Sequence, residues 1–316
     1  VYLLIVTASI PFIALYNGGA AVFRAMGNSE VSMKVSLLMN AINVSGNAIL
    51  IYGFHCGTEG VAIPTLVSRF VAAFIIIKLL LKDKWSLHLE RTYRFNPDWS
   101  MIRKILSVGI PNGLENSMFQ LGKVLVLSLV STFGTYAIAA NAVSNVITLF
   151  SILPGQAICL AVTTVIARCV GAGDYEQAKY YNKKLILLTH IGMAITIFIV
   201  FITLPFILKV YNLSEAASEA TRHIIWFHGF CAILIWAESF TLPATFRACG
   251  DAKACMIIST VSMWIFRVGA SYILGKNLGL GVFGVWVAMI IDWAFRSLLF
   301  GIRYFSGKWK KHALVS

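Results

Sequence analysis

The sequence predicts an all-α protein, a polytopic membrane helical bundle, from three observations. Its 316 residues are 59% hydrophobic and only 12% charged, with a mean hydropathy of +0.80. Its apolar residues fall in nine long stretches, and one helix–loop–helix sequence occurs twice. A soluble chain of this size would have to hide more apolar surface than its core can hold. Membrane β-strands would be about half as long and would alternate apolar with polar residues, so the bundle is helical.

Each of these stretches has roughly 20 or more residues, enough for a helix to cross a hydrocarbon core ~30 Å thick. We predict membrane spans at residues 1–23, 31–53, 60–82, 109–131, 136–168, 184–208, 223–246, 254–275 and 281–305. Asn96-Pro97-Asp98 predicts a helix start before Trp99. Pro154-Gly155, near the middle of the fifth span, predicts a kink that exposes backbone carbonyl groups.

A segment near the N-terminus recurs 223 positions later. Phe23-Arg24-Ala25-Met26-Gly27 returns as Phe246-Arg247-Ala248-Cys249-Gly250. Other positions match in register or after a one-residue insertion: Met33, Ser36 and Gly46 with Met256, Ser259 and Gly269, and Gly60-Val61 with Gly284-Val285. Six predicted spans separate the copies, so both have the same orientation in the membrane. Parallel repeats of this kind are typical of secondary transporters.

The two copies predict a two-lobe transporter of twelve helices, six in each lobe, of which nine spans are present here. The second motif ends the fourth span after the polar linker, whereas the first motif ends the first span of the chain, so three helices are expected to precede this segment. We predict a partial N-lobe at 1–82 (helices four to six), a cytoplasmic linker at 83–104, a C-lobe at 105–306 (helices seven to twelve) and a basic cytoplasmic tail at 307–316. With one lobe half absent, we expect these 316 residues alone to show no ion-coupled efflux.

The net charge of +13 reflects topology rather than nucleic-acid binding. Nineteen Lys and Arg residues lie in alternate loops and the C-terminal tail, and the other loops hold only Lys209, Arg222 and Lys276. This is the positive-inside pattern, and it predicts a multi-pass protein of the cell (inner) membrane with a cytoplasmic C-terminus. The six cysteines are scattered without a C-x-x-C pair, so neither a metal site nor a disulfide framework is indicated.

Seven ionisable residues lie inside predicted spans, where charge is costly and usually functional. Counted from the outer ends at ~1.5 Å per residue, one layer holds Arg69, Lys123, Arg267 and Asp292, and a deeper layer holds Glu115, Glu238 and Arg296. We predict a charge network in which Arg267 pairs directly with Asp292, and Arg296 lies one turn below Asp292. A structural clasp is the favoured interpretation of that pair. Arg69 alone has no candidate acidic partner in this chain, so we expect an Asp or Glu in the missing helices to pair with it.

Glu115 and Glu238 lie mid-span with fewer obvious partners, and a poorly solvated carboxylate attracts cations. We predict that they contact the coupling ion or the substrate. Four polar residues extend this candidate ion or substrate site: Asn116, Gln120, Asn141 and Asn145. For the last two, a hydrogen bond between helices is the favoured interpretation.

Several motifs together resemble the multidrug and toxic compound extrusion (MATE) transporters. They are the second Phe-Arg-Ala-x-Gly with Asp251, the segments 109–116, 171–178 and 262–269, and Gly284–Met289 with Asp292-Trp293. The resemblance covers essentially the whole chain, as helices four to twelve of that family. It implies two six-helix lobes around a central cleft that export small cationic or amphipathic drug-like molecules against an inward flow of Na⁺ or H⁺.

The alternative function is a flippase for lipid-linked oligosaccharides or lipids, because such proteins share this architecture and often have cationic cavities. Lys123, Arg267 and Arg296 favour it, whereas Glu115, Glu238 and Asp292 balance their charge and oppose it. A channel would show a continuous polar stripe, and an enzyme would need a catalytic motif such as H-E-x-x-H, and the sequence has neither. We therefore expect a non-enzymatic antiporter without a cofactor, acting as a monomer in the lipid bilayer.

Overall fold

The computed structural model describes residues 1–90 and 97–312, the side chains of 311 and 312 excepted. The chain forms two compact units, Val1–Asn96 and Pro97–Ser316. Within the described residues the fold is all-α, as the sequence predicts. The N-terminal unit contains helices α1 (Tyr2–Ala8), α2 (Ile10–Ala25), α3 (Ser29–Ala48) and α4 (Glu59–Leu80). The C-terminal unit contains α5 (Trp99–Ser131), α6 (Thr135–Gly171), α7 (Tyr175–Tyr211), α8 (Glu215–Ala248), α9 (Ala252–Ser262) and α10 (Gly281–Phe305).

Three π-helical segments and one 3₁₀ segment complete the described chain. The π segments are Ile49–Gly53, which continues α3, and Met263–Gly269 and Tyr272–Asn277, which continue α9. The 3₁₀ segment is Lys308–His312, after α10. All nine predicted spans are therefore helical in the described ranges. The first span is broken at Ser9, because Pro11 lacks the N–H group that would bond to the preceding turn.

Eight helical segments of the described chain are long and apolar enough to cross a membrane. The predicted span within α5, which contains Glu115 and Lys123, is not among them. The outward faces of the helices are apolar, as contact with lipid requires. On α7 this face comprises Leu187, Ile195, Phe198, Ile202 and Phe206, each more than half exposed.

Helix α5 begins earlier than the predicted C-lobe, because Asp98 caps it. The carboxylate of Asp98 accepts hydrogen bonds from the backbone N–H groups of Ser100 (2.9 Å) and Met101 (3.1 Å). Residues 99–104, which the sequence analysis placed in the linker, are therefore helical. The boundary between the two units, after residue 96, lies inside the predicted linker. Residues 91–96 of the linker and 313–316 of the predicted tail lie outside the described residues.

The core of the C-terminal unit lies where α6, α7, α8 and α10 pack together. Gly155 allows α6 to pack closely against α8, since a Cβ at this position would lie 2.3 Å from the ring of Trp236 on α8. The helix continues through Pro154, and the nearby carbonyl oxygen of Ser151 accepts a hydrogen bond from the Thr196 hydroxyl at 2.9 Å. A neighbouring helix thus satisfies a carbonyl group beside the proline.

The repeat is visible in the backbone. Gly27 and Gly250 both have positive φ angles, of 81° and 85°. In both copies the residue after this glycine donates its N–H to the carbonyl oxygen of a fully buried Phe, Asn28 to Phe23 and Asp251 to Phe246, each at 2.9 Å. This is the Schellman helix ending, and glycine adopts its left-handed conformation without steric cost. The duplicated sequence therefore encodes a duplicated turn.

The one-residue insertion in the second copy lies after Gly269, because Gly46 and Gly269 are still in register whereas Gly60 and Gly284 are offset by one. Segment Met263–Gly269 is π-helical, whereas the matching part of the first copy, at residues 40–46, is α-helical. Both copies then enter a π segment, Ile49–Gly53 or Tyr272–Asn277, and the segment of the second copy is one residue longer. A π turn holds one more residue than an α turn, so it absorbs an insertion without ending the helix.

The segment after α10 folds back onto the C-terminal unit. Trp309 is 1% exposed, and its indole Nε1 donates a hydrogen bond to the carbonyl oxygen of Tyr304 at 3.0 Å. Its ring stacks on the Tyr304 ring at 5.7 Å and meets the edge of Tyr175 at the start of α7. This part of the predicted tail is therefore packed against the bundle.

Candidate functional site

Glu115 of α5 is buried in the C-terminal unit and paired with an arginine. It is 6% exposed, and its Oε2 accepts a hydrogen bond from Nη1 of Arg247 at 3.2 Å. The sequence analysis ended this span at residue 246, left Arg247 outside it and found few partners for Glu115. It was wrong on this point, because α8 extends to Ala248 and carries Arg247 on its last turn. The signal that could have found the pair is the repeat, since Arg247 belongs to the duplicated motif.

Glu238 of α8 is also paired, with His190 of α7. Its Oε1 lies 2.9 Å from Nε2 of His190, and Nδ1 of the same ring lies 2.7 Å from the carbonyl oxygen of Ile233. Both side chains are partly exposed, at 31% for Glu238 and 26% for His190. The sequence analysis did not identify His190 as a partner of Glu238. The two residues lie on neighbouring helices. Counting residues from the end of each predicted span does not show which side chains of different helices meet.

Arg296 of α10 lies in an aromatic enclosure. It is 2% exposed, and its guanidinium carbon lies 4.7 Å from the ring centre of Phe240, 5.1 Å from Phe119 and 5.9 Å from Phe300. Nη2 donates a hydrogen bond to the carbonyl oxygen of Ser239 at 3.2 Å, while Nε and Nη1 have no partner among the described residues. Arginine over aromatic faces gains cation–π energy, which offsets part of the cost of burial.

Asp292 is fully buried one turn before Arg296, and its partner is a hydroxyl group. Its Oδ1 accepts a hydrogen bond from the Ser262 hydroxyl at 2.5 Å. In the described chain it forms no ion pair with Arg267, whose Nη2 instead lies 3.0 Å from the sulfur of Met289. The predicted Arg267–Asp292 pair is therefore wrong. Arg267 lies in the π segment Met263–Gly269, where more residues fit each turn, so it lies nearer the Asn277 end than a count at the α-helical rise implies.

The other predicted site residues do not converge on Glu115. Asn116 and Gln120 lie on the exposed side of α5, and Asn116 donates to the carbonyl oxygen of Asn112 at 2.9 Å in its own helix. Asn141 accepts a hydrogen bond from the indole of Trp286 at 3.2 Å, which is the predicted kind of contact between helices. Asn145 donates to the carbonyl oxygen of Asn141 at 2.7 Å.

The remaining predicted charges lie apart from the buried set. Lys123 is on an exposed face of α5. Arg69, in the N-terminal unit, donates a hydrogen bond to the hydroxyl of the fully buried Ser9 at 2.7 Å. Its expected acidic partner in helices before this segment stays a prediction.

Long apolar helices with ionisable groups held among them define a multi-pass membrane protein of the transporter class. The sequence profile of the MatE family matches residues 111–273, just over half of the chain. The chain therefore belongs to the MatE family, whose members are transporters.

The curated relatives agree with this family. The chain is 27% identical over 302 residues to the "Probable multidrug resistance protein NorM" of Thermotoga maritima, which covers 94% of the chain and 64% of that protein. It is 25% identical over 320 residues to the "Probable multidrug resistance protein YoeA" of Bacillus subtilis, with 99% and 69% covered. The chain thus spans about two thirds of the length of these relatives.

Solved structures share the fold. An outward-facing multidrug resistance MATE family transporter of the MOP superfamily superposes with a TM-score of 0.89 and 20% identity, covering 98% of this chain and 70% of that one. At this identity the likeness shows the fold alone. The predicted resemblance to MATE transporters is confirmed by the family profile.

Proposed function

We propose that this chain belongs to a secondary antiporter that exports small cationic or amphipathic drug-like molecules in exchange for Na⁺ or H⁺. The two lobes of the complete protein would alternate access to the two sides of the cell (inner) membrane, with the C-terminus in the cytoplasm. Membership of the MatE family and the names of the two relatives described above support multidrug export. The positive-inside pattern supports the orientation.

The observation that carries the proposal is the buried Glu115–Arg247 pair. An ionised carboxyl group in an apolar bundle is costly, and replacing such pairs by apolar residues is often neutral or stabilising. A pair retained at this cost therefore fits a functional role. A carboxylate held by one arginine hydrogen bond at 3.2 Å can exchange that partner for a cation or a proton.

The position of Arg247 suggests how ion binding at Glu115 would change the packing of the helices. Neutralisation of Glu115 would release the guanidinium at the end of α8, directly before the turn at Gly250. Asp251 follows that turn and holds Arg303 of α10 through two hydrogen bonds, of 2.6 and 2.9 Å. A charge change at Glu115 would therefore act on the junction of α8, α9 and α10.

Dye export tests this function. Everted vesicles from cells that express the complete protein containing this chain are mixed with ethidium, and its accumulation in the lumen, which corresponds to export from the cell, is followed under imposed Na⁺ or pH gradients. We expect export to require one of the two gradients and Glu115→Gln to reduce it to background. Glu219→Gln, the same change at an exposed position on α8, is the matched control and should keep wild-type export.

Export that ignores both gradients would contradict antiport. A protein that exports no dye but moves lipid-linked sugars across the same vesicles would support the flippase instead. Equal loss of export in the Glu115→Gln and Glu219→Gln variants would remove the specific role given to Glu115.

A further inference from the structure

Two basic residues of the C-terminal unit lie beside one helix contact. Gly122 of α5 packs on the π segment Met263–Gly269, since a Cβ at this position would lie 3.5 Å from a methyl group of Val268, an ordinary contact distance. Lys123 directly follows Gly122, and Arg267 directly precedes Val268. The two charges are close enough to repel each other. The fold therefore brings two cations together within predicted membrane spans.

These two cations lack full counter-charges among the described residues. Lys123 and Arg267 belong to no ion pair in the described ranges. Nη2 of Arg267 lies 3.0 Å from the sulfur of Met289, and a thioether is only a weak acceptor. Asp292 attracts Arg267 at longer range, but its Oδ1 accepts a hydrogen bond from the Ser262 hydroxyl. One carboxylate balances at most one of the two cations, and an unbalanced charge within a membrane span is costly.

The face of α5 that carries Lys123 changes from polar to apolar along the helix. Asn116, Gln120 and Lys123 are spaced by four and three residues, so they share one face, and all three are exposed. Leu127, one turn beyond Lys123 on the same face, is 53% exposed. A polar strip that ends in a cation beside an apolar surface suits a ligand with an anionic head and an apolar body.

We propose that Lys123 and Arg267 form an anion-binding site that receives the carboxylate or phosphate group of an amphipathic molecule. Ammonium and guanidinium groups donate strong, charge-assisted hydrogen bonds to such groups. The amide of Gln120 supplies a further donor, and Leu127 contacts the apolar part of the ligand. The site is distinct from Glu115, which lies eight positions before Lys123 on α5. Binding of the anion stands apart from the proposed function, and only its use in export rests on that function.

Thermal unfolding in the presence of an anionic amphiphile tests the site, because a ligand that binds the folded protein raises its Tm. The complete protein containing this chain is placed in nanodiscs of phosphatidylcholine and titrated with dodecanoate. Dodecanol, which has the same chain length and no charge, is titrated in parallel. We expect dodecanoate to raise the wild-type Tm more than dodecanol does.

Variants of the two cations locate the binding. Lys123→Gln and Arg267→Gln should each raise the half-saturating dodecanoate concentration about tenfold, since each removes a charge-assisted hydrogen bond. Lys123→Arg keeps the charge and should keep the wild-type value, which separates loss of charge from damage to the fold. Lys209→Gln and Arg222→Gln, the same changes at exposed positions on α7 and α8, are the matched controls and should respond like wild type.

A second set of nanodiscs separates two sources of the anion. Phosphatidylglycerol, which replaces part of the phosphatidylcholine, offers a lipid phosphate without a balancing cation. A rise in Tm with this lipid that Lys123→Gln and Arg267→Gln abolish would assign the site to a lipid headgroup, and a rise with dodecanoate alone would assign it to a free amphiphile. The same dodecanoate response in every variant, or an equal response to dodecanol, would overturn the proposal. Absence of any response would also overturn it, since the two cations would then be balanced within the complete protein.

These titrations impose no ion gradient. Anion binding can therefore fail while dye export still follows Na⁺ or H⁺. Conversely, a protein that exports no dye can still bind dodecanoate through Lys123 and Arg267.

Discussion

At the scale of single residues, three buried charged side chains of the C-terminal unit have three different kinds of partner. Glu115 has an arginine partner, Asp292 has a serine hydroxyl, and Arg296 has aromatic rings and one backbone carbonyl. Only the first arrangement places two full opposite charges in contact. Removing one member of such a pair leaves the other charge without compensation, whereas removing both does not.

This asymmetry gives a prediction for Glu115 and Arg247. Arg247→Gln alone should lower the free energy of unfolding by about 2 kcal/mol, less than for a fully buried pair because the Arg247 side chain is 26% exposed. The double variant Glu115→Gln with Arg247→Gln should recover part of this loss, since no carboxylate is left unpaired. Thermal unfolding in detergent at pH 7 compares Glu115→Gln, Arg247→Gln and the double variant. Strictly additive losses would show that the two residues do not interact.

Which residues carry buried charge could be predicted from the sequence, but their partners could not. Each acid and base stood out because it interrupts an apolar span. Arg247 and His190 were missed as partners because their contacts depend on the rotation and spacing of packed helices. The Arg267–Asp292 pair was wrongly predicted because the count assumed a uniform α-helical rise.

At the scale of helices, the duplicated glycines show where backbones approach most closely. Gly60 and Gly284 occupy equivalent positions in the two copies, at the beginning of α4 and of α10. A Cβ on Gly284 would lie 2.8 Å from the carbonyl carbon and oxygen of Leu274, which are backbone atoms of the π segment Tyr272–Asn277. A Cβ on Gly60 would lie 3.0 Å from the Cβ of Cys56. The two copies therefore share the glycine but differ in the tightness of the packing.

The difference predicts unequal effects of the same substitution. Gly284→Ala should destabilise the protein by about 1–3 kcal/mol, because the neighbouring backbone must move to admit the methyl group. Gly60→Ala should cost less, since its nearest neighbour is a short side chain. The midpoints of thermal unfolding of the two variants provide the comparison. An equal or larger loss in Gly60→Ala would contradict the packing described for α10.

The helices themselves were the most predictable feature of the chain. Each predicted span coincides with a helix in the described ranges, and the Asn96-Pro97-Asp98 sequence located the start of α5. The helix ends were less accurate: α6 and α7 each reach 37 residues, longer than the apolar stretches within them. Polar residues continue a helix beyond the membrane when its hydrogen bonds remain satisfied, so hydropathy underestimates helix length.

At the scale of the whole molecule, the charge distribution predicts which turns lie in the cytoplasm. The turn at Gly173, between α6 and α7, and the turn at Gly279, before α10, are separated by three predicted spans. An odd number of crossings puts them on opposite sides of the membrane. Basic residues cluster near the first turn, so we expect it in the cytoplasm.

Reporter fusions check this orientation. A fusion of green fluorescent protein that ends the chain at Gly173 should fluoresce, and an alkaline phosphatase fusion at Gly279 should be active. The exchanged reporters at the same two positions serve as controls and should be silent. Fluorescence at Gly279 or phosphatase activity at Gly173 would refute the predicted topology.

The position of Trp309 has a practical consequence for work on this protein. Its indole closes over Tyr304 and Tyr175, so a stop codon or a protease cut before it would uncover two aromatic rings and leave a carbonyl group without its donor. An affinity tag joined directly to Phe305 would therefore be expected to lower expression yield, whereas a tag placed beyond His312 would leave this closure intact.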